Sequence, residues 1–337
     1  MIKINSLKKQ FPLKKNWFGN VINWVNALNS ISIDFPTNKI TGIVGESGCG
    51  KSTLARVLCG IYKPDEGSFS WNEFSSDKMK KSMWKNYRRN VQMVFQDPYS
   101  SLNPRMRILD ILREPLVIHK LIQSNIFKKI KKDNTKVNSE YEDKILQTIN
   151  DVGLSGETLN KYPHEFSGGQ RQRIAIARAL ILNPDVVIFD EAVSALDVSI
   201  QAQILNLIID LQKKLNMTCL FIAHDLSVVS YVSEAIAVMY GGKIVEFNTT
   251  DKIFFSPRHP YTKLLLDSIP RAGIKNTAKN TIVDSTLFLN REGCPFYHRC
   301  SEKISKCEKN YPERTSFDEG YFYECFNPLS VEEIKKE

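Results

Sequence analysis

The sequence predicts an α/β fold built around a parallel sheet. Short, uninterrupted apolar segments recur through the middle of the chain, among them Val186-Val-Ile-Phe-Asp190 and Thr218-Cys-Leu-Phe-Ile-Ala223. Strands buried on both faces require this pattern. Amphipathic helical segments alternate with them, as crossover connections between parallel strands do. A glycine-rich turn, Gly45–Ser52, follows one such strand and opens a helix. To this core the sequence adds an N-terminal antiparallel β part, an inserted helical subdomain and a small Cys-rich C-terminal extension.

The elements follow in order. Residues 1–35 alternate polar and apolar, as in Asn29-Ser-Ile-Ser-Ile-Asp-Phe35, and read as strands. Lys39–Gly45 is a buried strand. Ser52–Tyr62 is a helix with Leu54, Val57, Leu58 and Ile61 on one face. Pro64–Gly67 is a turn, and Arg89–Phe95 a further strand. Residues 100–165 are charged and mostly helical, placing a helical subdomain at about 97–183. Arg171–Leu182 is a helix stopped by Pro184. Ile200–Leu215 is amphipathic, and Gly241-Gly242 joins strands Ala235–Tyr240 and Lys243–Phe247 as a hairpin. The main domain fills residues 1–270, a polar linker 271–291 and the extension 292–337.

Composition bounds the function. A chain of 337 residues with 42% hydrophobic and 25% charged residues is globular rather than disordered or fibrous. No apolar run approaches the roughly 18 residues of a membrane span, and the N-terminus lacks the apolar core of a secretory signal. A peripheral subunit on the cytoplasmic side is the expectation. The net charge of +9 would suit nucleic acid or an anionic surface. Six lysines between Lys120 and Lys136 face a single acid, Asp133, and read as a solvated surface stretch. Of seven cysteines, Cys49, Cys59 and Cys219 are scattered, while Cys294, Cys300, Cys307 and Cys325 crowd the last 44 residues. Without a signal peptide such a cluster reads as ligands before disulfides.

Three motifs carry chemistry. Gly45-Glu-Ser-Gly-Cys-Gly-Lys51-Ser52 satisfies the P-loop pattern in its required strand–loop–helix context. Its residues Gly45, Glu46, Ser47, Gly48, Cys49, Gly50, Lys51, Ser52 and Thr53 form the candidate ATP cradle. Backbone N–H groups converge on phosphate oxygens there, Lys51 reaches the β- and γ-phosphates, and the Ser52 hydroxyl ligates Mg²⁺. Asp190 and Glu191 end an apolar strand, at the sheet edge where ligands bind. Asp190 suits Mg²⁺ and Glu191 suits a general base. Ser167-Gly168-Gly169-Gln170 opens a helix and makes a second anion-binding element. One nucleotide does not need two such elements from one subunit; this one makes sense as completing the site of a partner, the alternative being a plain Gly-rich helix cap.

These motifs, in this order, resemble the nucleotide-binding subunit of an ATP-binding-cassette (ABC) transporter. Ser167–Gln170 is then the signature, preceded by Phe166 where Leu is usual. The resemblance implies further roles. Gln96 in Val94-Phe-Gln-Asp-Pro98 matches the loop that contacts Mg²⁺ and the membrane subunits. Ser194 and Asp197 match the D-loop, His224 the γ-phosphate switch, and Phe11 the aromatic that stacks on adenine, with Trp24 competing. Glu191–Gln203, Tyr162–Ser167 and His259–Leu265 are similar to the oligopeptide and dipeptide branch of importers, most like the second of its paired ATPase subunits. That likeness implies ATP-powered oligopeptide import by a subunit working with a non-identical second ATPase, two transmembrane permease subunits and an extracytoplasmic peptide-binding protein. No nucleic acid is expected. Dipeptide, nickel or glutathione are the alternative cargoes. A soluble ABC ATPase acting on ribosomes or DNA is the competing class, but it usually carries tandem cassettes or long heptads, and this chain has neither.

Cys294, Cys300, Cys307 and Cys325, with gaps of five, six and seventeen residues, are enough for one tetrathiolate site holding an iron–sulfur cluster or Zn²⁺. The resemblance favours [4Fe–4S].

Overall fold

A computed structural model describes residues 1–15, 21–122, 135–269, 293–317 and 320–330. The proposed linker at 271–291 and most of the Lys-rich stretch lie outside these residues. In chain order the strands are β1 (Ile2–Lys15), β2 (Val21–Phe35), β3 (Ile40–Val44), β4 (Glu66–Trp71), β5 (Phe74–Ser75), β6 (Val91–Val94), β7 (Val186–Asp190), β8 (Thr218–Ala223), β9 (Ala235–Tyr240), β10 (Lys243–Thr249), β11 (Thr315–Ser316) and β12 (Phe322–Tyr323). The α-helices are α1 (Lys51–Leu58), α2 (Lys81–Asn90), α3 (Pro98–Ser101), α4 (Ile108–Ile118), α5 (Thr135–Asp151), α6 (Gly168–Leu180), α7 (Val198–Leu215), α8 (Leu226–Val232), α9 (Thr250–Phe255), α10 (Pro260–Asp267) and α11 (Lys306–Lys309). The chain forms two compact units, residues 1–78 with 221–337 and residues 79–220, and the division falls inside β8.

In the first unit the N-terminal segment is antiparallel, as its alternation requires, in the order β2-β1-β4-β5. Ile2, Ile4, Leu7, Leu28, Ile31, Ile33 and Phe35 turn inward and are buried. The left-handed residues Ser6 and Ser30 interrupt the register, letting Leu7 rather than Ser6 face the core. The parallel pairing is β3 with β9, from Thr41 opposite Ala235 to Val44 opposite Val238. Gly241 and Gly242, at φ 54° and 78°, turn β9 into β10, the backbone a two-residue hairpin of this hand demands.

The extension does not stand apart. β12 pairs antiparallel with β10, Glu246 opposite Tyr323, and β11 pairs with β12. Phe322 is buried and its ring lies 6.1 Å from that of Phe247. A tail too short to enclose a core thus borrows one from a sheet edge.

In the second unit β6 runs parallel to β7, Val91 opposite Val186 through Val94 opposite Phe189. Helix α6 buries Ile174, Ile176, Ala177 and Leu180. Arg178 donates to the Ser101 carbonyl at 2.7 Å and Arg173 to the Val152 carbonyl at 2.7 Å, tying α6 to the helical segments around it. Among the described residues no helix is long and apolar enough to cross a membrane.

Candidate nucleotide site and the cysteine cavity

The phosphate loop leaves β3 at Val44 and enters α1 at Lys51. Gly50 is the N-cap residue at φ 110°, and a Cβ there would stand 2.2 Å from the Ala27 carbonyl oxygen. Only glycine fits that position. Lys51 is 4% exposed, and its Nζ donates to the carbonyls of Gly45 at 2.7 Å and Glu46 at 3.0 Å. Its ammonium is therefore already folded back over the loop, in position to exchange carbonyls for phosphate oxygens. Burial pushes the Cys49 thiol up, so it stays neutral. Helix α1 begins at Lys51 and ends at Leu58, shorter than the predicted Ser52–Tyr62 because Gly60 takes a left-handed turn.

Two loop contacts escape sequence reasoning. The Tyr261 hydroxyl accepts from the Glu46 backbone N–H at 2.9 Å. Arg299 forms a bidentate pair with the Glu46 carboxylate at 2.7 and 2.8 Å. The partners lie 215 and 253 residues away, and no local pattern signals such pairs.

In the same unit His224 follows β8 and is exposed, one residue before Asp225 caps α8 by accepting from Ser227 N–H at 2.8 Å. Phe11 lies on β1 with its ring edge-to-face with Tyr62 at 5.3 Å. Trp24, opposite Pro12 on β2, is 44% exposed.

The second unit holds the carboxylates. Asp190 ends β7 and is buried. Glu191 follows at φ 49°, a left-handed backbone that a non-glycine residue adopts only at a cost. That turn takes its side chain out of the strand's alternation, and its Oε2 accepts from Gln96 Nε2 at 2.9 Å. Gln96 is exposed beyond β6, so the parallel pairing of β6 with β7 sets amide beside carboxylate. Ser194 donates through Oγ to the Glu191 carbonyl at 3.0 Å, and Asp197 precedes α7.

Helix α6 starts at Gly168, three residues earlier than predicted, because Ser167 caps it. The Ser167 hydroxyl accepts from Gln170 N–H at 3.4 Å, and the Gln170 side chain accepts from Ser167 N–H at 3.1 Å. This is a capping box. A Cβ on Gly169 would meet Ile200 Cγ2 at 2.5 Å, so the glycine also lets α6 and α7 approach closely.

Cys294, Cys300, Cys307 and Cys325 line one small cavity, with Phe296 and His259. Burial pushes Cys294 up to about 11 and Cys325 up to about 12, and the neighbouring thiols add to the effect. Among the described residues no three His, Cys, Asp or Glu side chains are arranged to hold a single metal ion.

Comparison with known proteins agrees with this architecture. The ABC transporter family profile matches residues 28–194, and that of the oligopeptide/dipeptide transporter C-terminal region matches 245–307. The dipeptide transport ATP-binding protein DppF of Haemophilus influenzae is 43% identical over 95% of this chain and 94% of its own length. The oligopeptide transport ATP-binding protein AppF of Bacillus subtilis is 39% identical over 96% of each chain. A dimeric post-hydrolysis structure of the ATP-binding cassette MJ0796, bound to ADP and Pi, matches the fold with a TM-score of 0.61 at 24% identity, over 74% of this chain and 99% of its own. The chain belongs to the ABC transporter family, as an ATP-binding subunit with ATPase machinery. Within it, the chain carries the C-terminal region of the oligopeptide and dipeptide transporters.

Proposed function

We propose that this subunit hydrolyses ATP to drive oligopeptide or dipeptide import. The observation that carries this reading is the likeness to peptide-transport ATP-binding proteins, which runs through both the cassette and the cysteine-bearing extension. The subunit works at the cytoplasmic face of the membrane with a second, non-identical ATPase subunit, two transmembrane permease subunits and an extracytoplasmic binding protein.

The roles follow from the side chains. Lys51 and the backbone N–H groups of Gly45–Thr53 neutralise and position the triphosphate. Phe11 stacks on the adenine. Mg²⁺ arrives with the nucleotide, and Ser52, Asp190 and Gln96 offer the hydroxyl, carboxylate and amide oxygens a hard cation prefers. Glu191 accepts the proton of the attacking water, and Gln96 orients it. His224 senses the γ-phosphate. Ser167, Gly168, Gly169 and Gln170 present an N-terminal helix end to the ATP held by the partner subunit, and Ser194 and Asp197 link the two sites. Two ATP molecules hold the ATPase pair closed, and hydrolysis releases it.

Cys294, Cys300, Cys307 and Cys325 hold a [4Fe–4S] cluster, with Zn²⁺ the alternative. Bound as a structural group, it supplies a covalent staple for a segment with little core of its own. Because burial raises the thiols of Cys294, Cys300 and Cys325, binding there releases protons.

Purification of the tagged chain from membranes tests the assignment. Two permease subunits and a second ATPase should accompany it, and reconstituted complexes should hydrolyse ATP faster when peptide-loaded binding protein is added. A chain that instead sediments with ribosomes in about 0.5 M salt, where phosphate attraction is weak, would overturn it.

A further inference from the structure

The cysteine-bearing extension grips the phosphate loop. Arg299, one residue before Cys300, makes both bonds of a bidentate pair with Glu46, the second residue of that loop. The pair is partly withdrawn from water, with the Arg299 and Glu46 side chains 18% and 33% exposed. Its guanidinium also lies 5.9 Å from the ring of Tyr240 and 5.8 Å from that of Phe296. Planar, forked contact of this kind fixes orientation as well as charge. Glu46 is held a second time at its backbone by Tyr261, and its carbonyl accepts from Lys51. The rings of Tyr240, Tyr261 and Phe296 close the path, with centroids 4.5 Å (Tyr240–Tyr261) and 5.4 Å (Tyr261–Phe296) apart. Phe296 lines the cysteine cavity. A continuous set of contacts thus runs from the thiols through Phe296 and Arg299 to the loop that takes the triphosphate.

We propose that Arg299 is a positioning residue for the phosphate loop, and that through it the four-cysteine site sets ATP affinity. The first half stands on the geometry alone. The second half rests on the reading that the four thiols form one ligand site. A loop that wraps phosphate only when ordered binds with an affinity scaled by its ordered fraction. Arg299 raises that fraction and offsets a carboxylate that would otherwise face the phosphates uncompensated. Loss of the cavity's order would free Arg299 and weaken binding by the same route.

Equilibrium ATP binding by the full chain tests both halves. Arg299→Ala should raise the ATP dissociation constant about fivefold or more, and raise KM with kcat at saturating ATP little changed. Arg299→Lys, which keeps the charge but not the fork, should fall between, and it serves if the alanine variant does not fold. In a Glu46→Ala background Arg299→Ala should change affinity less than about twofold. Cys300→Ser should weaken ATP binding in the wild-type background but add little to Arg299→Ala. Wild-type affinity in Arg299→Ala, or an equal loss with and without Glu46, would overturn the positioning role. An unaltered Cys300→Ser, or a loss undiminished by Arg299→Ala, would overturn the coupling. Iron and zinc content is measured on the same preparations. Metal-free protein that still shows the Arg299–Glu46 dependence would sink the cofactor reading and leave the positioning role standing.

Discussion

Gln96 Nε2 donates to Glu191 Oε2 at 2.9 Å, across ninety-five residues of sequence. The bond holds the candidate base at the end of β7 by an amide whose own position is set by β6. Under the proposed function, with Gln96 in the loop that meets the membrane subunits and Glu191 the base, this one bond would be a route from permease to catalytic carboxylate.

Gln96→Ala should therefore act on turnover rather than binding. Misplacing the base by a fraction of an ångström should lower kcat by about tenfold or more, with KM for ATP within about twofold of wild type. Steady-state hydrolysis with the partner subunit present checks this, and an equal loss in both parameters would argue for a binding role instead.

Ser167 has one structural duty and one proposed, and substitution can separate them. Its hydroxyl caps α6, so Ser167→Ala should cost about 1 kcal/mol in denaturant unfolding. Ser167→Asp should restore the cap. It should not restore ATP-dependent pairing with the second ATPase subunit, because it places a negative charge where the partner's phosphates belong. Size-exclusion chromatography with ATP distinguishes the two.

Glu246 is a structural carboxylate. Fully buried, it accepts from Arg258 N–H at 2.8 Å, His259 N–H at 2.9 Å and the Thr262 hydroxyl at 2.6 Å, anchoring the start of α10. Glu246→Gln presents an NH₂ to these donors and should destabilise the fold by roughly 3 kcal/mol. Burial raises the carboxyl to about 7 against its donors. A folded value above the unfolded one means stability is lost as pH rises from about 4.5 to 7. The wild type's advantage over the variant should shrink across that window, as unfolding curves at several pH values will show.

Anaerobically purified protein should be brown, with absorbance near 400 nm and iron in preference to zinc. Cys325→Ser should lose the colour. Colourless protein with stoichiometric zinc, or with neither metal, would refute the cluster.

Much of the cassette was legible because its signals are local. β7, β8 and β9 are short apolar runs whose ends the sequence marks with Asp190, Ala223 and Tyr240. The phosphate loop, the carboxylate pair and the signature are contiguous. Helix α2 is not read from the sequence because its apolar face is short, only Met83, Trp84 and Tyr87 among charged neighbours, with Tyr87 alone buried. The α6 start was missed because two glycines read as loop until the capping box is seen. The attachment of the extension to β10 pairs residues as far apart as Glu246 and Tyr323, and the Tyr261–Glu46 and Arg299–Glu46 contacts span 215 and 253 residues; no local pattern encodes such pairings.

Glu191 is the proposed base of this ATP-hydrolysing subunit. Turnover and ATP affinity of Glu191→Gln, measured together in the presence of the partner ATPase subunit, test it most directly. ATP binding should be unaltered or tighter, the dimer should be stabilised by ATP, and turnover at this site should fall by roughly two or more orders of magnitude. Hydrolysis at the wild-type rate would contradict it.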